Sequence, residues 1–544
     1  MKKLLSLLIL LPLCALAQPK WAKKAQKSLV TLHAVQQSGD TLWVPAFYVD
    51  NQGTVVAPLK PILRARTAWV ENANGRRAVS ELAGFNTTYD ICRLVTTGKA
   101  KAVPLSIGAP LQKGDEVFLM PGGQADEVTQ VEAAGTLNYY TLKAPASFTL
   151  TGQPLMDGEG RVVGVLQNPI RTQGAPNYAL DIRLPMELSI NALNANNADL
   201  RACLIPRSLP ATEDQARTFL YMVNATPEQI IGYADSFTRL YPQSSTGYTV
   251  MAETQAGQEQ YDAADATYER ALKQKVADPD EVLRSRANTV YTALTRKQTV
   301  PQSWTADRAL ADIRAAKQAN PLPAYTRLEA LILMQQEQYA AADSLFLALT
   351  RTNMRSPDLF ILAAQCREQM GLPADSILCM NDSAVAMFTE PYPAEAANYF
   401  RLRAMRRKDA GLTRPAIRDL NVFEHLMQGR LTDNFYYLRM QLEASSRMLP
   451  QALNDIAKAI ELRPDLALYH VEHAVLLYRA GEPQQAIEAC RKALDLDPAF
   501  ADAHRIRGIC LLEQGKKAEA KAHLQKAVEL GDETAKSILE NLSR

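Results

Sequence analysis

Imidazoles, thiols and hydroxyls are the side chains with which a polypeptide does covalent or metal chemistry near neutral pH, and this chain is poor in the first two. Its 544 residues include six histidines and seven cysteines. His33 stands alone in the N-terminal region, in a β-branched stretch where a structural role is expected, and the other five histidines lie beyond residue 420. No CxxC pair and no His/Cys cluster has metal-ligand spacing, so no metal site is expected and no cofactor is called for. The cysteines are too sparse for a disulfide framework. Cys490 and Cys510 fall on neighbouring predicted helices, where they are either bridged in an oxidising compartment or, the reading favoured here, two buried free thiols. Hydroxyls are plentiful, but a serine or threonine attacks a carbonyl only when a base takes its proton. The chemical question is therefore which base, if any, stands beside which hydroxyl.

The elements that would position such a pair change character along the chain. From Ser28 to about Leu193 there are short β-branched stretches, among them Ser28 to Leu32, Val44 to Val49, Thr54 to Val56, Glu116 to Met120 and Arg161 to Val165. Asp50-Asn51-Gln52-Gly53 and Asp157-Gly158-Glu159-Gly160 read as hairpin turns, so the pattern predicts an all-β barrel or sandwich. Beyond the polar stretch Asn194 to Asp199 and the proline-flanked segment Pro206 to Pro210, helical periodicity runs onward. Thr226-Pro227-Glu228-Gln229 marks the change: an N-cap threonine, proline at the first helical position and a capping-box glutamine.

The order of the β pieces resembles bacterial trypsin-like proteases of the HtrA/DegP type. Phe47 to Val56, continuing through Ala57, Pro58 and Leu59, resembles the block that leads into the catalytic histidine, and Thr88 to Val95 the block that holds the aspartate. Thr149-Leu150-Thr151-Gly152-Gln153-Pro154-Leu155 resembles the serine block, and Leu105 to Gly108, Gly114 to Val117, Gly135 to Leu137 and Asn177 to Ile182 match further landmarks in the same order. The likeness spans roughly residues 25 to 193 and implies a trypsin-like double barrel. Carried over position by position, it puts the histidine on Lys60, the aspartate on Asp90 and the serine on Thr151. A partly exposed lysine titrates near pH ~10 and is no base at neutral pH. In the family, glycines stand two residues before and two after the serine and let backbone N–H groups converge on the oxyanion. Thr149 and Gln153 occupy those places here, so that hole is expected to be spoilt, while Gly152, Pro154 and Leu155 keep the framework. A Lys60–Thr151 base–nucleophile dyad would need Lys60 buried enough to lose its proton.

The helical part repeats with a period close to 34 residues. Pro464 and Pro498 lie one period apart, as do Ala486 and Ala520, and Ala493 and Ala527; Ala452 and Ala459 precede them by another period, with Ala474 and Gly508 at the matching point of the first helix. Small residues recur where paired helices approach closely, and the pattern resembles the tetratricopeptide repeat. Looser units fall at Gln260 to Ala271, Gln338 to Phe346 and around Ala404 and Ala416, while Val276 to Asn320 reads as helical but off-register. The resemblance implies a superhelix whose inner surface binds other proteins or peptides. Its template puts Asn398, Arg401, Tyr437, Gln441, Val471, Val475, Arg505 and Ile509 on that surface, without the basic array that grips a terminal carboxylate.

Sixty Lys plus Arg against 58 Asp plus Glu, with no basic run, excludes a nucleic-acid partner from the expectations. Lys2 and Lys3, the apolar run Leu4 to Leu13 and Ala15-Leu16-Ala17 read as a signal peptide cleaved before Gln18, with a lipid anchor at Cys14 disfavoured by Pro12-Leu13 ahead of it. No later run predicts a transmembrane span. The expected organisation is multidomain: a leader over 1–17, a trypsin-like pseudo-protease domain over 18–197, a linker over 198–212 and an all-α tetratricopeptide solenoid over 213–544. The expected function is that of a non-catalytic exported scaffold or adaptor in the periplasm or cell envelope. A serine-type endopeptidase with an unorthodox site and a purely structural protein are the alternatives. Oligomeric state is not legible in the sequence.

Overall fold

A computed structural model describes residues 19–100, 107–134, 137–167 and 175–542. The expected leader with Cys14, and the landmark residues Leu105, Ser106, Gly135 and Thr136, lie outside them. Among the described residues no helix is long and apolar enough to cross a membrane. The chain forms two compact units that divide between Thr289 and Val290.

The first unit begins with strands β1 (Leu29–Gln36), β2 (Thr41–Tyr48), β3 (Thr54–Pro58), β4 (Ala65–Asn72), β5 (Gly75–Asn86) and β6 (Ile91–Thr96). They close into an antiparallel barrel in the order β1-β2-β3-β6-β5-β4. A second barrel, β10-β11-β12-β9-β8-β7, is built from β7 (Glu116–Leu119), β8 (Gln124–Ala134), β9 (Leu137–Pro145), β10 (Pro154–Met156), β11 (Val162–Leu166) and β12 (Pro176–Asp181). Alternation makes the walls: β1 buries Val30, Leu32 and Ala34 and turns Thr31 and His33 outward. Both expected hairpin turns form, and by one device. Asp50 Oδ1 accepts from the N–H groups of Gln52 and Thr54 at 2.8 and 2.9 Å, and Asp157 Oδ1 from those of Glu159 and Arg161 at 3.0 and 2.9 Å. One apolar cluster joins the barrels, with Phe47, Val56 and Ile91 on one side and Met156, Val165 and Leu180 on the other.

The stretch 198–212, expected as a linker, is held to the first barrel. Leu82 N–H donates to Pro206 O at 2.8 Å and Ser208 N–H to Leu82 O at 3.0 Å, so the segment pairs alongside β5. Leu204 N–H donates to Ala65 O at 2.9 Å, and Leu200, Cys203 and Ile205 are buried. Their apolar cluster includes Leu82 and Ala65 of the barrel and also Phe219, Tyr233, Phe237 and Met251 from the helices Glu213–Met222, Pro227–Leu240 and Ser245–Gly257. Pro206 is exposed while Ile205 and Arg207 on either side of it are buried, and Pro210 is itself buried, so the segment is tied down by burial around its prolines.

In the second unit, helices pair as Pro323–Gln335 with Tyr339–Leu349, Pro357–Gln369 with Ala374–Val385, Ala397–Asp409 with Thr413–Met427, Asp433–Ser445 with Leu449–Leu462, Ala467–Arg479 with Pro483–Leu496, and Ala501–Glu513 with Lys517–Glu529. Buried Ala452, Ala459, Ala474, Ala486, Ala493, Gly508, Ala520 and Ala527 mark the close approaches, as the spacing requires. The off-register span resolves into helices Pro279–Thr295 and Ala306–Ala319, whose unequal lengths and long connection break the period. In the pair Pro357–Gln369 with Ala374–Val385, buried Asn381 of the second helix donates to Ile377 O at 2.9 Å.

Arginines 36 residues apart fasten these pairs together. Arg403 forks onto Asp419 at 2.7 and 2.9 Å and reaches Asp382 at 3.1 Å; Arg439 forks onto Asp455 at 2.6 and 2.8 Å and reaches Glu424 at 2.6 Å. Each guanidinium thus links its own second helix to that of the preceding pair. Glu443, buried beside Arg439 and Asp455, has no hydrogen-bond partner for Oε2. Burial first, then the Asp455 charge, pushes its carboxyl up to about 7. A carboxyl raised above its unfolded value of about 4.3 stabilises the fold fully below that pH and loses the contribution as pH rises through the folded value. Glu443→Gln is therefore expected to match the parent near pH ~4 and to exceed it by about 1–3 kcal/mol near pH ~8 in urea melts. Limited proteolysis of the whole protein is expected to spare residues 198–212.

Candidate functional site

The positions matched to a catalytic triad sit on three loops at strand ends. Pairing of β3 with β6 sets Pro58 opposite Ile91 and so brings the residues just beyond them, Lys60 and Asp90, together. Asp90 takes a left-handed backbone at φ 50, a conformation aspartate tolerates better than most residues. Its Oδ1 accepts from Lys60 N–H at 2.8 Å, its carbonyl from Leu59 N–H at 3.2 Å, and Oδ2 lies 3.5 Å from Lys60 Nζ. The aspartate side chain is 14% exposed and that of Lys60 71%. With its ammonium in solvent, Lys60 lacks the desolvation on which a lysine base depends.

Thr151 follows a single 3-10 turn, Phe148–Leu150, and precedes β10. Gly152 N–H donates to Leu166 O at 2.8 Å and Gln153 N–H to Leu150 O at 2.9 Å, which folds the loop onto β11. Gly152 has φ +84, and a Cβ there would lie 2.4 Å from Pro45 O and 2.7 Å from Pro58 Cδ. Only glycine lets this loop of the second barrel press so closely on the first. Thr151 is 8% exposed, and its Oγ1, like Gln153 Oε1, is buried without a hydrogen-bond partner. Between Asp90, Ile91, Pro58, Thr151, Gly152 and Gln167 remains a cavity of about 10 Å³. That is at the lower limit for one water and far below what a peptide carbonyl needs. Thr149, at an oxyanion-glycine position, is exposed and shares a 2.8 Å hydrogen bond with Ser147.

The structure thus unites Asp90 with Lys60 on one side and with Thr151 across a small void on the other. His33 is engaged elsewhere: it stacks on Trp69 with ring centroids 5.0 Å apart and lies 3.9 Å from Glu71, and burial lowers its pKa. Among the described residues no group of three His, Cys, Asp or Glu side chains is placed to hold a metal ion.

The inner-face expectations divide. Asn398, Arg401 and Gln441 are exposed, with Arg401 donating to Asn398 Oδ1 at 2.9 Å. Tyr437, Val475 and Ile509 are half-buried, and Tyr437 lies against Tyr469 with its hydroxyl 3.5 Å from Glu472. Arg505 is ion-paired to Asp502 and, at 2.6 Å, to Asp532. Val471 does not present a free side chain: it is 4% exposed and packs with Ala493 and Ala503, because the following pair of helices closes over it. Sequence reading missed the tyrosine–carboxylate bonds between successive units, Tyr469 to Asp433 at 2.6 Å and Tyr478 to Glu513 at 2.8 Å. Their Tyr/acid separations of about one repeat are the signal that marks them. Cys490 and Cys510 are buried in one apolar cluster as free thiols.

A tetratricopeptide-repeat family model matches residues 437–499 and 471–535. No curated protein sequence matches the chain. Solved structures similar to parts of it include YrrB, a tetratricopeptide-repeat protein with an unusual peptide-binding site, at 16% identity and TM-score 0.31 over 36% of this chain and 97% of that one. Another is the HtrA-type protease AlgW with tripeptide, at 15% identity and TM-score 0.27 over 30% of this chain and 60% of that one. The Rv3671c protease from M. tuberculosis, active form, is similar at 16% identity and TM-score 0.26 over 32% and 90%. The chain is two closed six-stranded antiparallel barrels followed by paired helices, of which residues 437–535 match the tetratricopeptide repeat.

A buried hydroxyl without a partner costs stability, whereas a nucleophile's hydroxyl is indispensable to activity. Thr151→Val is expected to leave stability unchanged or raise it by up to about 1 kcal/mol, while Gly152→Ala lowers it by more than about 1 kcal/mol. Thermal melts of the two variants check both signs.

Proposed function

We propose that this protein is a non-catalytic, exported scaffold or adaptor that holds other proteins or peptides through its repeat solenoid and its protease-like barrels. One observation carries the reading: the hydroxyl at the serine position is enclosed beside a void too small for a substrate carbonyl, and the residue at the histidine position is a solvated lysine paired to Asp90. Acyl transfer needs an accessible nucleophile, a base and oxyanion donors at once, and this geometry favours none of the three. The signal-like N-terminus supports export to the periplasm or cell envelope. In this reading residues 18–197 are the protease-like domain, 213–544 the repeat domain and 198–212 the connection between them.

The repeat match and the exposed Asn398, Arg401 and Gln441, flanked by Tyr437, support the inner helical face as the contact surface. Incubation of the whole protein with a fluorophosphonate probe is expected to give no labelling, in the parent and equally in Lys60→His, Thr151→Ser. Labelling of the parent that disappears in Thr151→Ala establishes the endopeptidase alternative instead. Crosslinking in cells is expected to recover specific proteins with the parent and fewer with Arg401→Ala, Gln441→Ala, at unchanged melting temperature; recovery of none supports a purely structural protein.

A further inference from the structure

We propose that a recess in the first unit, beside Arg207, binds a small molecule through an oxyanion, a carboxylate or phosphate group. The recess has a volume of about 460 Å³ and is lined among others by Arg201, Arg207, Asn197, Asn224, Thr226 and Gln229. No carboxylate lines it. Arg207 is 7% exposed, yet it forms no ion pair with any described carboxylate. Its guanidinium has one hydrogen bond to a carbonyl, NH2 to Leu200 O at 3.4 Å, and a contact with the Tyr233 hydroxyl. A guanidinium presents five donors, and burying one without a counter-charge costs several kcal/mol unless something compensates. Glu81 and Glu228 line a neighbouring recess that Arg207 also borders, without an ion pair to it, and Glu81 accepts from the Ser208 hydroxyl at 2.5 Å.

The remaining wall carries a second cation among neutral polar and apolar groups. Arg201 is exposed at the rim, with no carboxylate partner among the described residues. Thr226 and Gln229 also line the recess, but they cap each other and, with the Glu228 carboxylate, already satisfy the start of the fourteen-residue helix Pro227–Leu240, so the positive charge here belongs to the two arginines. The wall is fixed before any ligand arrives: Asn196 Nδ2 donates to Met222 O at 2.7 Å and its Oδ1 accepts from Asn224 N–H at 2.7 Å. A buried fork-shaped cation and a second cation at the mouth converge on one cavity, which is the chemistry that recognises an oxyanion. The volume exceeds that of a bare ion, so the group is carried on a small organic body. None of Lys60, Asp90 and Thr151 lines the recess, and the proposal stands apart from the fate of the triad.

The test is a thermal melt of the whole protein in sodium phosphate and in sodium acetate against sodium chloride at equal ionic strength. The expected result is a saturable rise in melting temperature with one or both oxyanions, since a ligand of the folded state stabilises it by mass action. General exclusion of kosmotropic salts gives instead a non-saturating rise that all variants share. Arg201→Gln, at an exposed position, is expected to melt like the parent in chloride and to need at least about fivefold more anion for half the shift, as loss of one charged contact implies. Arg207→Gln is expected to abolish the shift. If Arg207→Gln does not fold, Arg207→Lys, which keeps the charge and loses the fork, replaces it and is expected to weaken the shift. Which of phosphate or acetate acts distinguishes a phosphorylated ligand from a carboxylic acid. Absence of a saturable shift in the parent, or equal shifts in parent and Arg201→Gln, overturns the proposal.

Discussion

The close packing of the Gly152 loop against Pro45 and Pro58 is the constraint from which the character of the barrel site follows. A side chain at residue 152 has no room, so the loop stays where its glycine lets it lie. With the loop seated, Thr151 turns inward, its N-terminal neighbours form a 3-10 turn, and the space between it and Asp90 shrinks to about 10 Å³. The apolar cluster that joins the barrels from Phe47 to Leu180 holds the same surfaces together from behind. Asp90 keeps a structural task in this setting, bonding the backbone at Lys60 and so fastening the end of β3 to the start of β6.

A second kind of constraint governs the solenoid. Alanines and glycines let the helices of a pair approach, but small residues give little specificity of stacking from one pair to the next. The arginines at 403 and 439 supply it by reaching two carboxylates on different helices, and the tyrosine hydroxyls at 469 and 478 add bonds across successive pairs. Buried charge of this sort is weak as net stabilisation and strong as registry, because a misplaced pair strands a carboxylate such as Asp455 in the interior. Glu443 shows the cost, a carboxyl that burial and a like charge hold largely in its neutral form below neutrality.

Much of the fold was legible in the chain. Asp50 and Asp157 with their following glycines announced two hairpins, the capping box at Thr226 announced a helix, and alanine spacing announced the later repeats. β4, β5 and β8 were harder to read. In β8 the outward residues Glu127, Gln130 and Glu132 outnumber the apolar signal, and in β5 register shifts after Val79 and Leu82 break the alternation on which such a reading depends. The segment after residue 198 reads as a connection because its apolar run, Ala202 to Ile205, is short and followed by prolines; the partners that bury it, Leu82 and Ala65 of the barrel, lie far away in the chain.

The sequence by itself determined which chemical groups stand at the triad positions and how the helices repeat, since residue identity and periodicity are local properties. Only the tertiary structure decided that the Thr151 hydroxyl is shut in, that Val471 belongs to the core rather than to a surface, and that Arg207 and Arg201 converge on one recess. Burial, enclosed volume and the absence of a counter-charge are properties of surroundings, and surroundings are assembled from residues far apart in the chain.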